Sequence, residues 1–525
     1  MIGIAINCRR IDTVQKAIEL SKQPEALLGY TYTIATEVVK HPEFRAKVLN
    51  MILLVYHRRQ ANIDQANFDF FKIAKCQYAL DKAESTGQLL EKLMRSDTNY
   101  LQGYQIAFDL IDKENQVYTQ AVISHIEKSD LKADFSERQE KLLSVLNGTV
   151  KDTLTRQFMK KNNHADMLLI GKVKDIVAKD KKQNAMLHSA VVWMNGMMNA
   201  QTTNDSFVKD NLSWVAQATN WNRFSATATL GMIHQWNTAQ AQEVLNPYLN
   251  GGVGLGGGQA SPYATAGAYF AHGLIHVNQM TPEISTFYKD GFRNAGNSEV
   301  IMHGVSLGLG LAGMATKDNE LYEELKNQMF SQDNAIIGEA AAYGMGMVMV
   351  GSADEDAIEE MITHAAENQH EKIIRALSVS LALVMYGRQS QADGLIEQMM
   401  RSKDSIIRYG AMFTIGCAYA GTNNPAAIRR LLKSAVNETS DDVKRAALMN
   451  LGLLTFREPK QLPTLVKHLA VSYNPHLRYG AAMALGIGLA GSGSSEALKI
   501  LAQLAQDKED FVKQGALIAL SMVFI

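Results

Sequence analysis

The feature that most constrains this chain is a segment shape that recurs through its second two-thirds. Clear copies are HGVSLGLGLAG (303–313), YGMGMVMVG (343–351), YGAMFTIGCAYAG (409–421) and YGAAMALGIGLAG (479–491). Aligned with five weaker copies, they share one small-residue position, which recurs at separations of 34 to 42 residues. The residues at that position are Gly231, Gly273, Gly308, Gly346, Ala382, Gly416, Gly452, Gly486 and Ser521. A period of about 35–40 residues is typical of arrays of helix–turn–helix repeats.

The glycines are informative by position and not by number. Glycine makes up 38 of the 525 residues, so nine aligned positions should hold fewer than one by chance, and they hold seven. A glycine inside a helix costs about 1 kcal/mol relative to alanine. Repeating that cost is favourable only where the missing side chain lets a second backbone come close. We therefore predict an all-α fold, an α-solenoid of helix pairs whose glycine-bearing helices pack closely into a tightly curved or closed toroid.

The region before these repeats has the apolar spacing of amphipathic helices but lacks the glycines, as in residues 11–20 and 43–59. A lysine-rich stretch from Lys172 to Lys182, interrupted by acidic residues, marks the change and is interpreted as a solvated linker more readily than as a basic patch. We predict a stack of helix pairs over residues 1–182 and a tightly curved or closed repeat toroid over 183–525. Because LIALSMVFI (517–525) stops within a repeat, we expect the toroid to be incomplete at that end.

The later repeats also share a start signal, an acidic or amide residue four positions before a basic residue. The pairs are Asp404–Arg408, Asp441–Arg445, Asn474–Arg478 and Glu509–Lys513. The first member could cap the helix, and the second could pair with it one turn later. We interpret the pairs as structural; a recognition ladder is the alternative.

Composition excludes several classes of function. Lys plus Arg number 52 and Asp plus Glu 53, so the basic excess expected of a protein that binds nucleic acid through its phosphates is absent. The three cysteines are widely spaced, which argues against a disulfide framework or a cysteine-rich zinc site and fits a reducing compartment. Long uncharged stretches recur with polar breaks, as expected of buried helices more than of membrane spans. We predict no nucleic-acid partner and no membrane partner.

Candidate chemical motifs are weak. His272 and His276 lie four residues apart on a predicted helix, but Gly273 stands where a zincin has its glutamate and no third ligand is nearby. The segment from Gly252 to Gly257 satisfies the GxGxxG expression without the strand that a dinucleotide site requires, so it is interpreted as a loop. We predict no catalytic residues, no cofactor and no metal.

A helical toroid could instead be an enzyme of the terpenoid-cyclase type, which needs clustered aspartates. The nearest candidates are Asp354-Glu-Asp356 and Asp441-Asp442, and the second has Arg445 where the last aspartate should be. Aromatic residues are only 7% of the chain, which also disfavours a cavity that stabilises carbocations. A generic HEAT-like transport adaptor would share the period but not the paired glycines. A binding protein is the favoured class.

The glycine-rich repeats resemble those of the proteasome/cyclosome repeat family. This family includes the two largest scaffold subunits of the proteasome regulatory particle and the largest subunit of the cyclosome. Matching stretches include GIAINCRR (3–10), QIAFDLID (105–112), NWNRFSATATLG (220–231) and YNPHLRYGAAMALG (473–486), in order along essentially the whole chain. The two matches that precede the repeats favour one base scaffold over its sister and over the cyclosome subunit.

The resemblance implies a fold, partners and a location. The expected fold is a helical rod followed by a toroid around axial helices, with no enzymatic activity of its own. The expected role is that of a scaffold in the base of the regulatory particle, contacting lid subunits and the ATPase ring while ubiquitinated proteins are degraded. The protein would then be part of a hetero-oligomeric complex in the cytoplasm and nucleus.

Overall fold

The computed structural model describes residues 2–39, 41–60, 68–113, 115–129, 135–163, 165–179, 184–249, 261–331 and 334–525. Within these residues the chain forms thirty-one α-helices and no β-strand, which confirms the prediction of an all-α fold. The GxGxxG segment at 252–257 and the last part of the lysine-rich stretch, residues 180–182, lie outside the described residues.

The helices fall into two compact units, Met1–Leu154 and Thr155–Ile525. The helices up to the linker are α1 (Ile2–Asn7), α2 (Ile11–Glu19), α3 (Pro24–Thr33), α4 (Pro42–Gln60), α5 (Phe70–Ala79), α6 (Ala83–Met94), α7 (Tyr100–Asp112), α8 (Gln116–Lys128), α9 (Ser136–Leu146), α10 (Thr149–Asn162) and α11 (Met167–Ala178). In the first unit, helices pack on their second neighbours, α6 on α8 and α7 on α9, around one apolar core. This is the helix-pair stacking that the amphipathic pattern predicts.

The second unit contains the repeats. Its further helices are α12 (Ala185–Met198), α13 (Ser206–Asp210), α14 (Leu212–Val215), α15 (Asn220–Ile233), α16 (Ala241–Leu245), α17 (Pro262–Ile275), α18 (Pro282–Ala295), α19 (Glu299–Ala312), α20 (Asn319–Ser331), α21 (Ala335–Val348), α22 (Glu355–Glu367), α23 (Glu371–Val384), α24 (Asp393–Met400), α25 (Ser405–Ala418), α26 (Pro425–Asn437), α27 (Asp441–Thr455), α28 (Leu462–Val466), α29 (Pro475–Gly488), α30 (Ser495–Leu504) and α31 (Asp510–Val523).

Ten of these helices, nearly all of 14 residues, form a continuous row. These inner helices are α12, α15, α17, α19, α21, α23, α25, α27, α29 and α31, and each packs against the next. The intervening helices are here called outer helices, and from α16 onward each packs on the inner helix that follows, as α20 does on α21 and α26 on α27. One apolar core runs through these layers from Val208 to Val523. Because consecutive inner helices are joined through an outer helix, they all point the same way.

The first and last inner helices also touch. Helix α12 packs against α31, and Asn184 Nδ2 donates a hydrogen bond of 2.8 Å to Asp510 Oδ2. Near the other end of the same pair, Ser521 Oγ lies 3.5 Å from the Met197 sulfur.

The start-signal prediction is confirmed for two caps. Asp404 and Asn474 each accept a hydrogen bond from the backbone N–H two residues on, at 2.8 Å. Asp441 instead lies inside its helix behind Ser440, and Glu509 makes no side-chain cap. Two of the four predicted caps are therefore wrong.

The predicted pairing within each start signal is wrong in all four repeats. Arg408 pairs with Glu438 and Arg478 with Asp507, each 29 or 30 residues away at the end of the next outer helix. Arg445 and Lys513 pair with acids three residues before them, Asp442 and Asp510, and not with the predicted cap residues. Arg408 and Arg478 bind these distant carboxylates because tertiary packing brings the end of the next outer helix beside the start of their own helix.

Candidate functional site

The candidate site is the contact surface between successive inner helices, where the predicted glycines lie. Six of the seven glycines are the twelfth residue of their helix and face the tenth residue of the next inner helix. The facing pairs are Gly231–Ala271, Gly273–Gly308, Gly346–Ser380, Gly416–Asn450, Gly452–Ala484 and Gly486–Ala519.

These approaches are too close for a side chain. A Cβ atom added to Gly231 would lie 2.6 Å from the Ala271 Cα. The same atom on Gly452 would lie 2.7 Å from the Ala484 carbonyl oxygen, and on Gly486 it would lie 2.7 Å from the Ala519 Cα. Real Cβ atoms essentially never approach other heavy atoms within 3.0 Å. The helices can therefore keep this spacing only with glycine at those positions.

Gly308 differs from the other six. It is the tenth residue of α19, and it receives the contact of Gly273 from the preceding helix. The twelfth residue of α19 is Gly310, whose added Cβ would lie 2.5 Å from the Gly344 Cα. The structural equivalent of the other six glycines is thus Gly310, two residues later than the sequence alignment places it. HGVSLGLGLAG has two glycines two apart, so the sequence alone could not distinguish them.

A second set of glycines, which the sequence analysis did not single out, lies six residues earlier in the inner helices. They occupy the sixth position of five inner helices and face the preceding helix, as Gly304 faces Ala266 and Gly480 faces Leu448. The members are Gly267, Gly304, Gly410, Gly480 and Gly515. The signal was present in three of the four clear repeat copies, in His-Gly at 303–304 and Tyr-Gly at 409–410 and 479–480, whereas the Tyr-Gly at 343–344 places its glycine at the tenth position of α21. Both faces of an inner helix are therefore built for close packing.

Some facing positions carry a polar side chain. Ser380, opposite Gly346, donates a hydrogen bond of 2.8 Å to the Ala342 carbonyl of the preceding inner helix. Asn450 is fully buried, donates through Nδ2 to the Ala446 carbonyl, and directs its unpaired Oδ1 at Gly416. The α-hydrogens of a glycine are the weak donors that such an oxygen can use.

The turns that follow the inner helices are tied to the next repeat by backbone hydrogen bonds. The N–H groups of Gly351, Gly421 and Gly491 donate to carbonyls in the last turn of the next inner helix, each at 2.9 Å. These three glycines have φ between +65° and +67°, a conformation that other residues adopt only with strain. The bonds satisfy carbonyls that a helix leaves free at its C-terminus. Each repeat therefore fixes its neighbour through the main chain as well as through side chains.

His272 and His276, the candidate ligand pair, lie in the core of the array. His272 Nδ1 is 3.0 Å from the Tyr288 hydroxyl, and its ring stacks on Phe287. Burial lowers the pKa of His272 to about 3, with the neighbouring His276 adding to the effect, and burial lowers the pKa of His276 to about 4. In the part of the chain that the structure describes, no group of three or more His, Cys, Asp or Glu side chains is placed to hold a metal.

The stability of the second unit should fall on mild acidification because of these histidines. Their folded-state pKa values lie below the ordinary 6.5, so the unfolded chain binds more protons as the pH falls below about 6.5. We expect a loss of roughly 1–2 kcal/mol per histidine between pH 7 and pH 5. Chemical denaturation of wild type and of His272→Gln/His276→Gln measures it, and the double variant should show a shallower pH dependence. The exposed His468→Gln is the control, and a double variant with the wild-type slope would refute the assignment.

The aspartate clusters considered for an enzyme are engaged in the structure. Asp354 caps α22 by accepting a hydrogen bond of 2.9 Å from Ala357 N. Asp442 accepts from Arg375, two inner helices away, and from Arg445 in its own helix. The Arg375 guanidinium also lies over the Tyr409 ring, 4.7 Å from its centre. Of the helices in the described ranges, none combines the length and apolarity needed to cross a bilayer.

Three family models match the sequence. Residues 1–163 match the N-terminal domain of the 26S proteasome subunit RPN2, residues 340–374 match the proteasome/cyclosome repeat, and residues 428–521 match HEAT repeats. The repeat matches fall on inner and outer helices of the second unit.

Curated relatives align along the whole chain. The 26S proteasome non-ATPase regulatory subunit 1 homolog A of Arabidopsis thaliana is 41% identical, covering 100% of this chain and 55% of the relative. The regulatory subunit rpn2 of Schizosaccharomyces pombe is 38% identical and the Drosophila melanogaster non-ATPase regulatory subunit 1 is 37% identical, with 54% and 55% of those proteins covered. The chain thus spans about half the length of the curated relatives it matches.

The row of closely packed glycine-bearing helices, together with the repeat match at residues 340–374, identifies a helical repeat protein of the proteasome/cyclosome class. Within that class, the chain belongs to the family of 26S proteasome subunit RPN2, also called non-ATPase regulatory subunit 1.

Proposed function

We propose that this chain acts as a non-catalytic scaffold in the base of the 26S proteasome regulatory particle. In this role it organises lid subunits and the ATPase ring for the degradation of ubiquitinated proteins, in the cytoplasm and nucleus. The observation that carries the proposal is the alignment of the entire chain with RPN2-type subunits at 37–41% identity. The Arabidopsis and Drosophila relatives are named as non-ATPase regulatory subunits.

The packing supports a scaffold rather than an enzyme. The inner helices bury their glycines against one another. These surfaces therefore hold the repeats together and are not exposed to a partner or substrate. The outer helices and the loops at the helix ends remain accessible, and they could carry docking surfaces for several partners at once. The division predicted at residue 182, between a helical rod and a repeat toroid, would then separate two docking regions.

The test is purification of the full-length protein from its source through an affinity tag, with mass spectrometry of the co-eluting proteins. We expect proteasomal ATPases and lid subunits in stoichiometric amounts. A second purification at about 0.5 M salt would separate specific assembly from surface charge attraction, which salt screens. Recovery of the protein without proteasome subunits would refute the proposed function.

We further propose that the inner helices form a closed ring of ten. Asn334 and Asn474 each donate a hydrogen bond to the acid that starts the preceding inner helix, Asn334 to Glu299 and Asn474 to Asp441. The bond from Asn184 to Asp510 has the same form, with α12 in the place of the helix that follows α31. The contact between α31 and α12 thus repeats the contact between consecutive repeats, as ring closure requires.

Ring closure can be tested by a disulfide trap. In a Cys8→Ser background, Met197→Cys and Ser521→Cys place two thiols where the native side chains meet. We expect oxidation to give an intramolecular disulfide, seen as a faster-migrating band that reduction removes. The control pairs Ser521→Cys with Ser306→Cys, on an inner helix elsewhere in the row. An open array would leave the first pair no more reactive than the control, and small-angle scattering would then show an elongated particle.

A further inference from the structure

Two neighbouring outer helices share a surface pattern that the scaffold architecture does not require. Along α26, Arg429 and Lys433 point to solvent, followed by the exposed Val436. Along α28 and its flanking loops, Lys460 and Lys467 do the same, followed by the exposed Val471. The two valines are 66% and 72% exposed, the highest values among the exposed large aliphatic side chains that the structure describes from residue 184 onward. The basic face is defined here as Arg429, Lys433, Lys460 and Lys467.

The two helices belong to successive repeats whose loops are joined by hydrogen bonds. Before them, Asn423 Nδ2 donates to the Glu458 carbonyl at 3.2 Å, which joins the loop that leads into α26 to the loop that leads into α28. After them, the bond of Asn474 to Asp441 joins the starts of the inner helices that follow. The loops at both ends of the pair are therefore linked, which places the outward faces of α26 and α28 next to each other in successive repeats.

The cations of the basic face are not neutralised within the chain. None of the four forms an ion pair with any residue that the structure describes. Arg430, on the same helix but turned toward α24, pairs with both Asp393 and Glu397. The arginine used for packing between repeats is thus compensated, whereas the outward cations are left available.

The equivalent surface two and three repeats earlier has the opposite sign. The outward residues of α20 include Glu320 and Glu323, and those of α22 include Glu355 and Glu359. The chain as a whole carries a net charge of −1, so the basic face is a local concentration and not a reflection of composition. At physiological salt, charges farther than about 8 Å apart are largely screened, so the two faces act separately.

We propose that the basic face docks an acidic polypeptide segment that also carries apolar side chains. Carboxylates would pair with the four cations, and apolar residues would cover Val436 and Val471. A polypeptide fits this surface better than a nucleic acid does, because apolar side chains can cover the two exposed valines whereas a charged phosphate backbone cannot. The nearby Tyr473 side chain is fully exposed on a loop whose carbonyls bind Arg478 at 2.9 Å, so it offers a fixed aromatic anchor.

The direct test measures binding of a fluorescein-labelled acidic peptide of about 20 residues, built from glutamate with leucine at every fourth position. We expect the full chain to bind it, with affinity that falls as salt rises. Charge reversal of the basic face should weaken binding at least ten-fold. The substitutions are Arg429→Glu, Lys433→Glu, Lys460→Glu and Lys467→Glu.

The matched control reverses four exposed lysines elsewhere, with the same change in net charge. These substitutions are Lys16→Glu, Lys22→Glu, Lys128→Glu and Lys160→Glu. The control should change binding less than two-fold, and both variants should keep the wild-type thermal midpoint. Equal weakening by the two variants, no binding by wild type, or tighter binding of duplex DNA through the same four cations would each overturn the proposal.

The double variant Val436→Ser/Val471→Ser tests the apolar contact. It should weaken binding at least three-fold without changing the salt dependence, and an unchanged affinity would overturn the apolar part of the proposal.

Photo-crosslinking in the complex purified from the source tests the natural partner. A benzoylphenylalanine at position 436 should crosslink to a segment with an excess of acidic residues, whereas one at Asn327, on the acidic face, should not reach that segment. A crosslink from position 436 to nucleic acid or to a segment without acidic excess, or no crosslink at all, would overturn the proposal.

Discussion

Replacing Gly273 with alanine is expected to destabilise the repeat array by about 2–3 kcal/mol, the upper part of the range for overpacking a tight core. The added Cβ would lie 2.6 Å from the Gly308 carbonyl oxygen and 2.7 Å from the Gly308 Cα. Both are main-chain atoms of a helix that its other neighbours hold in place, so they cannot move aside as a flexible side chain could. The thermal midpoint and the hydrogen exchange of α17 and α19 amides measure the effect.

Gly171 provides a control with the opposite expected sign. It lies in the middle of α11, and a Cβ there meets no atom within 4 Å. Gly171→Ala should therefore stabilise the chain by about 0.5–1 kcal/mol through helix propensity alone. If the two variants changed stability equally, close packing would not be the reason for glycine in the inner helices.

Replacing Arg478 with methionine should cost about 3–5 kcal/mol, because it leaves a nearly buried carboxylate without its partner. Arg478 binds both oxygens of Asp507 at 2.6 and 2.8 Å, with 16% and 9% of the two side chains exposed. The same guanidinium donates to the Ser472 and Tyr473 carbonyls. The substitution thus removes a bond between repeats and a loop anchor together, and urea denaturation at neutral pH measures the loss.

The control is Arg401→Met, which breaks an exposed pair with Glu397 and should cost less than about 0.5 kcal/mol. The pH dependence gives a second readout. Hydrogen bonds from Arg478 hold the pKa of Asp507 below its ordinary 3.8, so the pair contributes stability above that value and loses it as the pH falls through the lowered pKa. Wild type should therefore lose stability in this acidic range more steeply than Arg478→Met. A cost for Arg478→Met as small as that of the control would contradict the role assigned to the pair.

The sequence predicts the repeat and its chemistry well because each inner helix needs the same local solution. The period and the all-helical content follow from glycines at fixed spacing in apolar helices, and the family follows from the resemblance of stretches such as 220–231 and 473–486. The position of Gly308 was misassigned because a run of alternating glycines contains no internal reference for the helix start. The sixth-position glycines, such as Gly304, were missed because their role depends on the preceding helix.

The ion pairs show a different limit. Arg408 follows Asp404 by four residues, the spacing at which an ion pair can form along a helix. Asp404 instead accepts a hydrogen bond from the N–H of Ile406. Glu438 comes to Arg408 only because α26 ends beside the start of α25, a fact of packing. Pairing partners about 30 residues apart cannot be chosen from the sequence, since several carboxylates lie at similar separations.

The glycine spacing alone predicts an array of helix pairs with smooth inner helices, because glycine at a costly position is explained only by close packing. The contacts themselves depend on tertiary packing, which sets the twelfth residue of one inner helix against the tenth of the next and brings α12 against α31. Tertiary packing also separates the cations that bind between repeats from those that remain outward on the basic face. Local propensity acts within a helix, whereas contact partners and burial depend on how the helices are arranged in space.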